Sequence, residues 1–316
     1  MDDARARPHR RGARRRVRRT AASVLAIDIG GTRCGAALVD TDGRIASSEH
    51  IATPKGDDAD RLFDAIAALA DGVLQGEAVT AIGVGCGGPM RWPEGVVSPL
   101  HIPAWDHFPL RARLEERYGI GCAVDNDAKA MALGEWWRGA GRGARSLLGV
   151  IVSTGVGGGV IIDGHVVHGA HGNAGHIGHI LAVPGGPACA CGASGCVEAI
   201  ASGLAIARRY AGDIDAAALA VRARAGDDRA RSLFAEAGTA LARGIAAATV
   251  LLDLDRVVVG GGVAIGSWDL LWPSLESELA RDLRIDFARG LELRRAALGA
   301  SAGLVGAAAL ALRPQP

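Results

Sequence analysis

The 316-residue chain carries 35 Lys and Arg against 34 Asp and Glu, a formal charge of +1, and 49% of it is apolar. No uninterrupted apolar run nears the roughly 20 residues that a membrane span needs, so a soluble globular protein is expected, longer than one typical domain. Six Cys, clustered rather than spread, argue against a disulfide framework and for a reducing, cytoplasmic setting.

Nine Arg and two Asp fall within residues 1–19, which leaves the rest of the chain acidic. This head has no aromatics and no fold motif, so it reads as a disordered, solvated tail over 1–22 rather than a nucleic-acid arm. It is not an export signal either, because Asp28 and the next glycines cut the apolar run short.

Residues 24–31, VLAIDIGG, have the character of a buried strand, and 34–40 and 44–51 extend it into a meander around the Asp42-Gly43 turn. Residues 59–74 place Leu62, Phe63, Ile66, Leu69 and Val73 on one helical face. A strand over 80–85, a helix over 109–118 and a strand over 122–126 follow, the last feeding a helix that begins near Asp127 or Ala128. The alternation predicts an α/β fold.

The pattern then repeats. Residues 146–167 read strand, glycine-rich turn, strand, Asp163-Gly164 turn, strand, which suggests two related halves. Helices are expected over 197–211, 214–225, 227–252, 270–283 and 301–312, with strands at 256–262 and 292–298.

Three glycine-rich loops follow strands: DIGGT (28–32), STGVGGG (153–159) and VGGG (259–262). Glycine lets successive backbone N–H groups approach an anion, so three such loops favour phosphate binding. None has the P-loop or GxGxxG spacing. Asp28 stands at a strand end beside the first loop, where a carboxylate suits a hydrated Mg²⁺ shared with a nucleotide. In VDNDAKAMALGE (124–135), Asn126 or Asp127 is either the N-cap of the next helix or a carboxylate facing a cleft, able to take the proton of an attacking hydroxyl. Spacing alone does not choose. His179, Cys189, Cys191 and Cys196 form H-x9-C-x-C-x4-C, four nitrogen and sulfur ligands with Gly192 and Gly195 allowing a tight knuckle. That set suits a closed structural Zn²⁺ site better than a redox pair. Cys34, Cys86 and Cys122 read as core residues.

Together these residues resemble the ROK family (repressors, open reading frames and sugar kinases) of the actin-like ATPase superfamily, over nearly all of 23–313. The strongest part is 175–203, GHIGH followed by CACGASGCVEAIASG. The resemblance implies two ribonuclease H-like domains, 23–125 plus 299–316 and 126–298, with an interdomain cleft. It also implies ATP and Mg²⁺, a sugar substrate, transfer to the sugar 6-hydroxyl, and a homodimer.

By resemblance, Asp28, Gly30, Gly31, Thr32 and Arg33 form the first phosphate loop, and Thr154, Gly155, Val156, Gly157 and Gly158 the second. Gly260, Gly261 and Gly262 lie beside adenosine. Asp127 matches the catalytic base, and Asn126, His179 and Glu198 match sugar contacts, with His179 also serving zinc. There are two departures. Family glucokinases usually have GExGH where this chain has GHIGH, placing His176 at a sugar contact as in bacterial N-acetylmannosamine kinases, and His101 falls where an Asn is usual. An imidazole at 176 is expected to donate a hydrogen bond to an acetamido carbonyl. N-acetyl-D-mannosamine is therefore the expected substrate and glucose the alternative. The remoter alternative is a sugar-responsive regulator, but the DNA-binding helix-turn-helix of such members would need some sixty residues before the first strand.

Overall fold

The structure, a computed structural model, describes residues 23–210 and 213–313. The predicted tail, Ala211 at the end of an expected helix, and residues 314–316 lie outside the described residues.

The fold is α/β, as expected. In the first half, β1 (Ser23–Ile29), β2 (Arg33–Asp40) and β3 (Ile45–Ala52) form the meander, followed by α1 (Ala59–Leu74) and β4 (Ile82–Cys86). A small hairpin, β5 (Met90–Arg91) and β6 (Val96–Val97), precedes α2 (Leu110–Tyr118), β7 (Cys122–Asn126) and α3 (Asp127–Arg138). The second half runs β8 (Ser146–Val152), β9 (Val156–Ile162), β10 (His165–Val166), α4 (Glu198–Ala201), α5 (Gly203–Tyr210), α6 (Ala216–Arg224) and α7 (Asp228–Leu252). It ends in β11 (Arg256–Gly260), α8 (Gly262–Gly266), α9 (Trp268–Asp282), β12 (Glu292–Arg295) and α10 (Ala302–Leu312).

Two five-stranded sheets result, in the orders β3-β2-β1-β4-β7 and β10-β9-β8-β11-β12. In each, three antiparallel meander strands are followed by two parallel ones. The repeated hairpin of the sequence is thus a repeated sheet. Parallel pairing of β1 with β4 and β4 with β7 brings their C-terminal ends to one edge, and these ends deliver the first glycine loop and the Asn126-Asp127 pair. The ends of β8 and β11 likewise deliver the second and third loops.

Helices α3 and α10 cross between the sheets, α10 against β1 and β4 and α3 against β8 and β9. The crossing needs Gly306, where a Cβ would fall 1.6 Å from the Ala130 carbonyl oxygen. Beside it, buried Glu135 accepts hydrogen bonds from the N–H groups of Ala140, Ala297 and Leu298 at 2.8, 3.1 and 2.8 Å. This explains one departure from expectation: the strand predicted over 292–298 stops at Arg295, because the N–H groups of 297 and 298 are drawn to Glu135 rather than to a ladder. The helix predicted over 197–211 is likewise split at Ser202, whose hydroxyl accepts from Ala205 N–H and caps α5. Helix α7 is long and apolar enough to cross a membrane, yet it packs in the core with Phe234, Leu241 and Ile245 fully buried. Cys34, Cys86 and Cys122 are core residues.

Candidate active site

Asp28 lies on β1 in register with Gly35 and Gly85. Its carboxylate packs against Gly303 at the start of α10. Asp127 opens α3. Asn126 is that helix's N-cap, its Oδ1 accepting from Ala128 N–H at 3.0 Å, and Asp127 Oδ1 accepts from the same N–H at 2.9 Å. The two side chains thus share the Ala128 N–H, and Asp127 stands beside Asp28. The Asp28 carboxyl is pushed up to about 7, chiefly by burial and then by the Asp127 charge, against the pull of Arg33. Burial also raises Asp127, opposed by hydrogen bonds from Ala128 N–H and the Asn126 side chain and by the charge of His101. Two neighbouring carboxylates that are costly to ionise form a site that a divalent cation would relieve. The pair thus fits Mg²⁺.

The first loop closes through Gly30 N–H to Arg33 C=O at 3.1 Å, and the Thr53 hydroxyl donates to the Gly30 carbonyl at 2.6 Å. Thr32 and Arg33 are exposed at its tip. His101 bears directly on this loop: a Cβ at Gly31 would sit 2.4 Å from His101 Cβ, so only glycine fits there. The His101 ring extends toward Gly155 of the second loop. It therefore spans the two loops.

The second loop is held by Glu198, whose Oε2 accepts from Val156 N–H at 2.8 Å and packs on Gly155. The Val156 amide is thus engaged with Glu198. A cavity of about 280 Å³ opens here, lined by His101, Thr154, Gly155, Glu198 and the knuckle residues 187–190, among others. Of two larger hollows, one is lined by Trp92, Cys122, Asp125 and His168, and the other by none of the residues expected at the site. In the third loop, Gly261 has φ +93°, and a Cβ there would meet the Val152 carbonyl at 2.4 Å, which sets the third loop against the end of β8. Gly157 and Gly158 lie within β9, and Gly260 and Gly262 flank Gly261.

His179 ends a short 3₁₀ turn, Ile177–His179, packed on α7 and β9. One ligand atom each from His179, Cys189, Cys191 and Cys196 lies within 4.8 Å of the others. Cys191 and Cys196 sulfurs are 3.8 Å apart, and Cys189 Sγ is 3.7 Å from His179 Nδ1. With a Zn–S bond of about 2.3 Å a tetrahedral edge is about 3.8 Å, so the cluster matches a single closed zinc site. His179 Nδ1 faces the sulfurs, which leaves Nε2 for another partner.

His176 is exposed, its ring centroid 6.1 Å from that of His179. It lies within electrostatic reach of Asp127 and Lys129, with the Asn173 backbone beside it. Burial is the main cause of its lowered pKa, so the neutral form is favoured. A neutral imidazole carries one N–H donor and one acceptor nitrogen. Three residues that sequence reasoning passed over also belong here: Asp125, Lys129 and His168, a buried cluster directly behind the Asn126-Asp127 pair.

Two sheets of one topology, with glycine-rich loops and a carboxylate pair at the C-terminal ends of their strands, define a duplicated α/β protein. The chain belongs to the ROK family, whose model it matches over residues 24–314. It is 38% identical to N-acetylmannosamine kinase of Shigella flexneri and 34% identical to glucokinase of Streptomyces coelicolor, each match covering 92% of this chain and 98% of the relative. Among solved structures it resembles a ROK family glucokinase from Streptomyces griseus in complex with glucose and AMPPNP, with a TM-score of 0.78, 34% identity, and 92% and 99% of the two chains covered.

Proposed function

We propose that the chain is an ATP-dependent sugar kinase that phosphorylates the 6-hydroxyl of N-acetyl-D-mannosamine in a cleft between two ribonuclease H-like, actin-like ATPase lobes. The first lobe is 23–125 plus the α10 segment, and the second is 126–298. One observation carries the reading: Asp127, at the first position of α3, has its carboxyl buried beside Asp28 at the edge where the glycine loops converge.

Closure of the lobes excludes water that would otherwise hydrolyse the nucleotide. Asp127 orients the 6-hydroxyl and takes its proton as the new P–O bond forms, while loop N–H groups stabilise charge on the transferring phosphoryl group. Asp28 would hold Mg²⁺, which when bound supplies positive charge against the phosphates. His179, Cys189, Cys191 and Cys196 would hold Zn²⁺, which fixes the segment carrying His179 and Glu198. Asn126 Nδ2, His179 Nε2, the Glu198 carboxylate and His101 line the sugar side. The His176 imidazole N–H donates to the acetamido carbonyl. Glucose is the second reading, favoured by the glucokinase relatives.

ADP release measured in parallel with N-acetylmannosamine, glucose, mannose and N-acetylglucosamine tests this. The highest kcat/KM is expected for N-acetylmannosamine; a higher value for glucose overturns the substrate assignment. Asp127→Asn is expected to lower kcat by about 10²–10⁴-fold, and near-native turnover would remove Asp127 from its role.

A further inference from the structure

Lys129 has no exposed surface, although it lies on the first turn of α3, two residues from Asp127. Its ammonium donates to the Gly172 carbonyl at 2.7 Å and lies 3.4 Å from Asp125 Oδ1. The other Asp125 oxygen is 3.1 Å from His168 Nδ1. The Asp125 side chain is also tied to the active-site strand end, accepting from Asn126 N–H at 2.7 Å.

His168 and Gly172 belong to one loop, closed by Ala174 N–H to His168 C=O at 2.9 Å. Trp92, from the hairpin of the first half, covers that loop. Its ring stacks on His168 at 3.8 Å and 14°, and a Cβ at Gly172 would fall 2.3 Å from Trp92 Cβ. The next residue after Gly172, Asn173, has its backbone beside the His176 ring. A continuous chain of contacts therefore runs from Asp125 and Lys129, through Gly172 and Asn173, to His176.

A buried ammonium is expensive to desolvate, and replacing a buried ion pair as a whole with apolar side chains of similar volume is often neutral for stability, whereas removing one partner strands the other charge. Stability alone therefore gives little reason for a lysine here. What the ammonium does that an apolar side chain cannot is fix the Gly172 carbonyl, and with it the loop bearing His176, at a set position over the Asn126-Asp127 edge.

We propose that Lys129, held by Asp125 and His168, is a positioning residue that sets His176 against the substrate's C2 substituent and so determines sugar preference. This rests on the kinase reading above. The preference then resides in a side chain on α3 that touches no substrate, and the Trp92 stack links it to the approach of the two halves.

The test compares the zinc-loaded wild-type protein, Lys129→Met and His168→Phe. Met keeps the volume without the donor, and Phe keeps the stack on Trp92 without the contact to Asp125. For Lys129→Met the expected result is a rise in KM for N-acetylmannosamine of about tenfold, with kcat within about threefold of wild type. The ratio of kcat/KM for N-acetylmannosamine over glucose should collapse toward unity while AMPPNP affinity, read by calorimetry, stays unchanged. His168→Phe should shift the same ratio in the same direction by less. A merely structural role would lower kcat for every sugar and weaken AMPPNP together, leaving the ratio untouched, and that result overturns the proposal. Should Lys129→Met not fold, an unchanged ratio in His168→Phe overturns it equally. Wild-type protein that phosphorylates none of the sugars refutes the kinase reading, and this one with it.

Discussion

Asp28→Asn tests the electrostatics of the carboxylate pair without any turnover assay. The native Asp28 carboxyl titrates at about 7, against an ordinary value of 3.8. Between those values the folded protein keeps a proton that the unfolded chain has released, so stability falls as pH rises, by about 1.4 kcal/mol per pH unit. From pH 5 to pH 8 the loss is roughly 2.5 kcal/mol, or about 4 °C in Tm for a protein of this size. Asp127, also raised, adds in the same direction. His176, whose pKa burial lowers, acts in the opposite direction but is present in both proteins, so the difference between them isolates Asp28. The measurement is Tm against pH in buffer free of Mg²⁺ and nucleotide, with the protein zinc-loaded. Wild type should lose stability across that range, while Asp28→Asn should be markedly flatter and more stable at pH 8. Parallel curves for the two proteins would refute the claim that burial and the Asp127 charge oppose ionisation of Asp28.

Two further outcomes follow from the same geometry. Removing zinc with a strong chelator should cost about 4 kcal/mol if the free ion had stood about 1,000-fold above its Kd, with loss of sugar and AMPPNP affinity; metal-free protein with unchanged Tm and both affinities would refute the structural role. Glu135→Ala strands three backbone donors at the α3–α10 crossing and should destabilise by about 3 kcal/mol or more in denaturant unfolding, and a cost under about 1 kcal/mol would show that the crossing does not depend on that carboxylate.

Much of the architecture is legible in the sequence because it rests on local signals. Apolar runs ending in glycine mark β1, β8 and β11, and the two Asp-Gly turns mark the duplicated hairpins. The knuckle is legible for the same reason, since zinc ligands must be close and the tight turns between them need glycine. What was missed is non-local. Lys129 reads as a solvated helix residue until β7, α3 and the 168–174 loop are packed around it. Glu135 reads as one more polar residue on a helix until the 297–298 backbone is delivered to it from 162 residues away. The split between α4 and α5 depends on Ser202 acting as a cap inside an apparently continuous helical stretch, where a serine is just as often silent.

Glu198 shows why sugar and phosphate functions in this fold are hard to separate by residue. Its backbone begins α4, two positions after the ligand Cys196, so the knuckle fixes where that helix starts. Its side chain crosses to the second glycine loop and holds Val156 N–H at 2.8 Å. On the proposed reading the same carboxylate faces the sugar. One group thus joins the knuckle, the sugar side and a phosphate loop, and a shift of the knuckle moves all three. A metal far from the transferring phosphoryl group can therefore affect nucleotide binding through Glu198 alone, without contacting a phosphate. For that reason AMPPNP affinity, and not only Tm or sugar binding, is the decisive readout when zinc is removed.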